Sequence, residues 1–513
     1  MTDDAGAAAR ASLAAGRPAL IWRRQIADTE TPVSAALKLI EPGRGDYLLE
    51  SVEGGETRGR HSLIGLAPDL VFRADGEAAE INRTWLTDRT AFAPAGAPTL
   101  AALRALVADC RMEVPPELPA ALACLVGYFG YETFGLVETL PRPPENPLAL
   151  PDMFFVRPTV ILVFDRLKDE LFLVSPVWPE GAGSVETRIA LAHDRIDAAA
   201  ARLAGVTPAQ AGARSPAKEA APLPAPEHEI TLSPTLAPGR YGEMVARAKD
   251  YIGAGDIFQV VLAQRFTAPF PLPPFDLYRS LRRINPSPFL YYLDLPGFAL
   301  IGSSPEILVR ARDGEVTIRP IAGTRPRGKT AAEDVENKAS LLADPKERAE
   351  HLMLLDLGRN DVGRVATAGS VTVTDSYGVE FYSHVMHIVS NVVGRLDPAK
   401  DALDALFAGF PAGTVSGAPK VRACEIIAEL EPETRGAYAG GVGYFSPDGS
   451  MDSCIVLRTA VVKDGVMHVQ AGAGIVADSD PVYEQKECEA KAGALVAAAR
   501  EALSRAGEAG FGQ

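Results

Sequence analysis

Glu347 and Glu350 stand three residues apart in DPKERAEHLMLLDLGRNDVGR, the stretch from Asp344 to Arg364. Glu484 and Glu487 repeat that spacing in YEQKECEAKA, with Lys491 one turn further on. Residues spaced this way share a helix face, so each pair presents its carboxylates together, and two pairs on two helices can surround one hard divalent cation. Magnesium suits such donors, because it prefers oxygen and takes one or two carboxylates together with waters and substrate groups. Taken singly, each pair is also what a solvated helix face with Glu–Lys pairs looks like. Arg458, in CIVLRTAVV, lies among apolar neighbours, where a guanidinium must meet an anion or be paired within the protein. Gln259 stands beside Val260, Val261 and Leu262, and a polar residue in such a run is bonded internally or faces a ligand.

Local signals predict the elements that hold these residues. Asp344 can cap a helix with Pro345 in its first turn, and Leu352, Leu355 and Val362 recur at helical spacing. Tyr241 to Ile252 reads as a helix ending at Gly253, and GDIFQVVLAQRF as a turn and a strand. Two hairpins are predicted: Glu306–Ala311 and Glu315–Ile321 flank Asp313-Gly314, while Cys454–Val462 and Val466–Gln470 flank Asp464-Gly465. This places Arg458 inside a strand. Each second strand is expected to enter a glycine-bearing loop, AGTRPRG at 322–328 and AGAG at 471–474, whose free amides suit carboxylates. In FPAGTVSGAPKVRACEIIAEL, Thr414 or Ser416 is expected to cap a helix with Pro419 in its first turn, an anion-binding arrangement. It is not a phosphate-binding P-loop, since GxxxxGK[ST] does not fit.

The chain has 513 residues, 47% hydrophobic and 23% charged, with a formal net charge of -15. That is a globular composition long enough for several units of ~150 residues. The negative charge argues against nucleic acid or an anionic membrane as partner, though not against a small anion held locally. Five cysteines without a CxxC pair suit a reducing compartment. The acidic, Ala-rich start is unlike a signal peptide, and no apolar run approaches the ~20 residues of a membrane span, so a cytoplasmic protein is expected. A Pro- and Ala-rich stretch at 205–238 divides residues 1–204 from 239–505, with 506–513 as a tail. The first part holds strand-like runs at 47–51, 69–72, 159–164 and 170–174.

GDIFQVVLAQRF, GSSPEILVR, RPIAGTRPRG, ERAEHLMLLDLGRND, SHVMH, FPAGTVSGAPK, GGVGYF, DSCIVLR, QAGAGIVADSDP and EQKECEAKA follow one another between Tyr241 and Ala499. In that order they closely resemble the chorismate-utilising enzymes, and among them the large subunits of anthranilate synthases. The resemblance implies an α+β fold, antiparallel β-sheets packed as a sandwich with helices outside. It implies magnesium bridging the ring carboxylate of chorismate to Glu347 and Glu487, with Glu350 and Glu484 beside them. Tyr438, Arg458 and the amides around Gly472 and Ala473 match positions that hold the pyruvyl carboxylate. Gly323, Thr324, Gly474 and Lys491 match the surroundings of the ring, and Thr414 and His387 align with further site positions. Glu306 matches the family's general acid, which protonates the leaving ring hydroxyl before ammonia adds and pyruvate departs.

Two positions distinguish relatives. Isochorismate and salicylate synthases carry a lysine base where this chain has Gln259, which favours ammonia over water as nucleophile. Aminodeoxychorismate synthases usually carry PIKGT with a nucleophilic lysine, whereas this chain has PIAGT with Ala322. Both point to anthranilate as product. An aminodeoxychorismate synthase component I and a catalytically silent tryptophan-binding subunit are the alternatives, the second opposed by the complete set of acidic residues. In the first part, LLES (with Leu49, Glu50 and Ser51), RHSLIG, and NPSPF (Asn285, Pro286, Ser287, Pro288, Phe289) resemble segments that bind feedback tryptophan. Phe289-Leu290 stands where Tyr-Met is common. No cysteine sits in a glycine-flanked nucleophile turn with a histidine partner. The resemblance implies a separate glutamine amidotransferase subunit that supplies ammonia, making a hetero-oligomer.

Overall fold

A computed structural model describes residues 2–53, 57–119, 121–143, 145–206, 230–382 and 385–506. Most of the Pro/Ala-rich stretch, most of the expected tail, and Ser383 and His384 of SHVMH lie outside the described residues. The described strands pair antiparallel into two sheets of twelve. Helices pack against them, giving the α+β sandwich expected from sequence. Both halves of the chain contribute to both sheets. Asp46–Glu53 pairs with Phe289–Leu295, Leu49 opposite Tyr291, and Leu125–Phe129 pairs with Gly441–Phe445 in the other sheet.

Two strand pairs cross from one sheet to the other side by side. Phe298–Ser304 belongs to the first sheet and Ile307–Arg312 to the second, so the chain crosses at Pro305-Glu306. Met451–Ile455 pairs with Ile307–Arg312, and Thr459–Lys463 pairs with Phe298–Ser304, so the chain returns through Val456–Arg458. The predicted strand over Cys454–Val462 is thus two strands in different sheets, and Arg458 occupies the crossing with a φ of 48°. The crossings are stitched together: Ser304 Oγ donates to the Ile455 carbonyl at 2.6 Å, and the Ile455 amide to the Glu306 carbonyl at 3.0 Å.

The Asp-Gly turns form where predicted. Arg312 faces Glu315 and Lys463 faces Val466, and Asp313, Gly314, Asp464 and Gly465 all have positive φ, as a two-residue type I′ hairpin requires. The strand expected over Glu315–Ile321 is interrupted, because Pro320 has no N–H for a ladder; strands run Glu315–Ile318 and Ile321–Pro326. The glycine stretches expected as loops are strand. Gly472 faces Ala263 and Gly474 faces Val261, so Gln259–Pro269 covers one edge of Val466–Ile475. On its other edge the neighbouring strand pairs only as far as Val469, leaving that side of the AGAG segment open.

The helix Pro345–Gly363 begins as predicted, with Asp344 accepting from the Lys346 amide at 2.9 Å. It buries Leu354, Leu355 and Val362, each worth about 1.5–3 kcal/mol. Two polar pins fix its rotation: His351 Nε2 lies 2.6 Å from Ser390 Oγ, and Asp361 pairs with buried Lys420 at 2.9 Å. Pro481–Arg505 is capped by Asp480 and buries Cys488, Ala492 and Leu495. Neither Thr414 nor Ser416 caps the helix Lys420–Leu430; Pro419 precedes it, while Ser416 Oγ donates back to the Ala412 carbonyl. The helix Arg240–Ala254 ends at left-handed Gly255, not Gly253. All five cysteines are free and buried. Among the described residues no helix is long and apolar enough to cross a membrane.

Candidate active site

Glu306, at the first sheet crossing, is 7% exposed. Burial pushes its carboxyl up to about 8, against the opposing pull of the Thr414 hydroxyl and the Arg458 charge. Thr414 Oγ1 donates to Glu306 Oε1 at 2.9 Å. The result is a carboxylic acid that holds its proton at neutral pH, which is the state a general acid needs. Arg458, at the second crossing, makes no ion pair among the described residues, and burial pulls its guanidinium down from the usual value. The geometry therefore leaves the guanidinium available to an incoming anion.

His387 stands on the strand Val385–Arg395, and its Nδ1 lies 3.0 Å from the Gly323 carbonyl and 3.1 Å from Thr324 Oγ1. A carbonyl only accepts, so Nδ1 carries the hydrogen and Nε2 presents its lone pair. Burial pushes this imidazole down to about 4, helped by the charges of Arg458 and Lys491, so it is neutral. Gly323 also lets the helix Pro345–Gly363 approach: at φ 73°, a Cβ here would stand 3.0 Å from Glu347 Oε2. Glu347 Oε1 is held by Arg325 at 2.9 Å, and Arg325 reaches Asp344, the helix cap, at 2.7 Å.

Across the site, Lys491 joins Glu487 at 2.8 Å and donates to the Gly472 carbonyl at 2.8 Å. A Cβ on Gly472 would meet the Tyr438 hydroxyl at 2.9 Å, and one on Gly474 would meet Gln259 Nε2 at 2.5 Å. The missing side chains thus admit Tyr438 and Gln259 beside the open strand edge. Ala473, between them, is buried. Gln259 Oε1 is buried and has no hydrogen-bond partner among the described residues.

A profile of the chorismate binding enzymes matches residues 46–497. Anthranilate synthase component 1 of Cereibacter sphaeroides is 52% identical over 97% of this chain and 98% of its own length. That of Thermus thermophilus is 46% identical over 92% and 96%.

The chain belongs to the chorismate-binding enzymes.

The solved structure of anthranilate synthase component I from Streptococcus pneumoniae superposes with a TM-score of 0.72 at 35% identity, covering 92% of this chain and 99% of that one. The menaquinone-specific isochorismate synthase of Escherichia coli, at 20% identity and a TM-score of 0.69, shares the fold. This chorismate-binding enzyme is thus of the anthranilate synthase type.

The glutamates of this chorismate-binding enzyme bring carboxylates together from two helices. Burial and the charges of Glu347 and Glu487 push the Glu350 carboxyl up, and burial and Glu487 do the same to Glu484. Glu347 and Glu350 lie on one helix and Glu484 and Glu487 on the other, so the two faces crowd negative charge between them, which a cation relieves. Among the described residues no three His, Cys, Asp or Glu side chains form a ready-made metal cage. Magnesium does not need one, because waters and substrate oxygens complete its shell.

A separate cavity of about 490 Å³ lies between the halves, with Leu49, Glu50, Ser51, Pro288 and Phe289 in its lining. Asn285, Pro286 and Ser287 precede this wall and are not part of it. The Glu50 carboxylate is committed elsewhere, accepting from Tyr278 at 2.6 Å and Arg282 at 2.8 Å and pairing with Arg166.

Sequence reasoning missed Arg435 beneath the site. Its guanidinium, 2% exposed, binds Glu431 and the carbonyls of Val261 and Val415, and lies over the rings of Tyr131 and Tyr438. The i, i+4 spacing of Glu431 and Arg435 was the available signal. Tyr382 and Arg325 were missed too, and no local pattern marks them.

Proposed function

We propose that the protein converts chorismate and ammonia to anthranilate, pyruvate and water, the committing chemistry of tryptophan formation. The observation that carries this reading is Glu306, a buried acid protonated at neutral pH, close to Arg458, which makes no ion pair among the described residues. Arg458 and Tyr438, with the open amides around Gly472, hold the pyruvyl carboxylate. Thr324, Gly323, Gly474 and Lys491 surround the ring. Glu306 gives its proton to the ring hydroxyl, which leaves as water. Ammonia adds at the ring carbon beside the ring carboxylate, giving an aminodeoxyisochorismate. Gln259, uncharged with a free Oε1, suits ammonia and cannot deprotonate water. The added nitrogen returns a proton to Glu306, the neutral Nε2 of His387 takes up the ring proton, and the enolpyruvyl group departs as pyruvate with a proton from solvent on its methylene carbon. A magnesium ion, held by Glu347, Glu350, Glu484 and Glu487 with substrate oxygens, would withdraw electron density through the ring carboxylate as a Lewis acid.

Ammonia reaches the site from a glutamine amidotransferase partner, and tryptophan occupies the 490 Å³ cavity as inhibitor. The cavity supports this because it is lined by both halves of the chain yet abuts the crossing at Pro305 and Ile307 that carries Glu306. The test is to mix the purified chain with chorismate, magnesium and an ammonium salt at alkaline pH and follow anthranilate fluorescence, with and without tryptophan. Anthranilate that tryptophan suppresses is the expected result. Aminodeoxychorismate or isochorismate as product would overturn the reading of Ala322 or Gln259, and glutamine used as fast as ammonia by the lone chain would remove the partner.

A further inference from the structure

Tyr382 touches both the cavity and the catalytic groups. Tyr382 follows the strand Thr372–Phe381, is 5% exposed, and lines the cavity together with Arg319 and Glu380. On its inner side its ring packs against the His387 imidazole, centroids 5.4 Å apart and planes at 64°. On its outer side its hydroxyl donates to Glu380 Oε2 at 3.0 Å, and Glu380 Oε1 pairs with Arg319 at 2.5 Å. Its backbone is fixed independently, since Arg327 donates to its carbonyl at 2.7 Å and its amide to the Val385 carbonyl at 2.8 Å.

The His387 ring has one hydrogen-bonded nitrogen, at Nδ1. That bond sets the tilt of the ring about Cβ–Cγ but does not by itself hold the ring's position, so the lone pair at Nε2 stays aimed only if a second surface packs the ring where it stands. The Tyr382 ring is such a surface, set edge to face against it.

We propose that Tyr382 is a positioning residue: its ring aims the His387 imidazole, and its hydroxyl ties that ring to the Glu380–Arg319 wall of the cavity, so that what fills the cavity acts on catalysis through it. The second clause rests on the reading of the cavity as a tryptophan site. A ligand seated against Arg319 and Glu380 that draws either toward itself pulls the Tyr382 hydroxyl, and the ring with it, away from His387. The ring then turns, and His387 loses its stop. Glu306 and Arg458 need not move for turnover to fall.

Replacing Tyr382 separates these roles. Tyr382→Leu removes the stop and is expected to lower kcat for the ammonia-dependent reaction at least about tenfold, the scale of a small misplacement of a reacting group, while KM for chorismate stays within about threefold. Tyr382→Phe keeps the ring and cuts the tie. It is expected to recover most of the lost kcat and, with tryptophan binding still seen by calorimetry, to show several-fold weaker inhibition at saturation. Wild-type kcat in the leucine variant would overturn the positioning role, as would a KM rise matching the kcat loss. Should the leucine variant not fold, a phenylalanine variant with kcat as low as that of His387→Ala would equally overturn it. Full inhibition of a folded phenylalanine variant that binds tryptophan would overturn the transmission. Absence of tryptophan binding to the wild-type chain would instead sink the cavity reading, and the kcat comparison would still decide the role of the ring.

Discussion

Glu306 joins function to stability in one side chain. Burial raises its carboxyl from 4.5 to about 8, so the folded chain keeps a proton that the unfolded chain releases at lower pH. The stabilising contribution of that proton is complete below the unfolded value and is lost as pH rises through about 8. Two outcomes follow. At constant free ammonia, kcat/KM for chorismate falls as pH rises through that range, because the acid is then ionised. Glu306→Gln, which keeps shape but cannot give up a proton, lowers turnover by about 10²-fold or more with chorismate binding retained. Its melting temperature, compared with wild type, gains more at pH 8 than at pH 5. Undiminished turnover would remove Glu306 from the acid role, and an equal gain at both pH values would show that burial does not hold the proton. Gly323 gives a steric test: Gly323→Ala forces a Cβ to 3.0 Å from Glu347 Oε2 at positive φ. A magnesium requirement raised about tenfold is expected, read by titration calorimetry with chorismate present.

The helix Pro345–Gly363 is the element on which the metal reading depends. It is fixed at one end by Asp344, which caps it and binds Arg325, and along one side by His351 and Asp361. Asp344→Ala removes the cap and one of the two carboxylates that Arg325 binds. It is expected to lower stability, as lost caps do, seen as a lower denaturation midpoint. It also frees Arg325 to close on Glu347, so the magnesium concentration for half-maximal activity rises. An unchanged magnesium requirement would show that Glu347 is not held through this corner. The caps and the i, i+3 pair of this helix were legible in sequence because each is settled by neighbours within one turn. The strand break at Pro320 was equally local in cause, yet its effect required knowing which strand lay alongside.

At the scale of the molecule, both sheets run through both halves of the chain, so a ligand between the halves acts on one continuous body. Glu50 is a keystone of that junction, with Tyr278, Arg282 and Arg166 on its carboxylate. Glu50→Ala strands two arginines and is expected to destabilise the fold by about 3–5 kcal/mol, measured by denaturant unfolding. A loss under about 1 kcal/mol, the worth of a surface pair, would show that water already solvates the junction. Tryptophan at a hundred times its dissociation constant should stabilise the wild-type chain by about 2.7 kcal/mol. An unmoved melting temperature would place its site elsewhere.

By itself the sequence determined the helix Pro345–Gly363 with its cap and the two Asp-Gly hairpins, and, through its resemblance, the sandwich class, and it nominated the residues of the site. Each rests on contacts within a few residues or on an ordered set of motifs. Only the tertiary structure decided that CIVLRTAVV breaks between two sheets and sets Arg458 beside Glu306. It alone showed that the AGAG segment is a strand with an open edge, that Thr414 serves Glu306 and caps no helix, and that Tyr382 stands between cavity and catalyst. Those outcomes depend on which strands pair across hundreds of residues. Side-chain alternation within a strand is the same whichever partner lies beside it, so no local pattern records that choice.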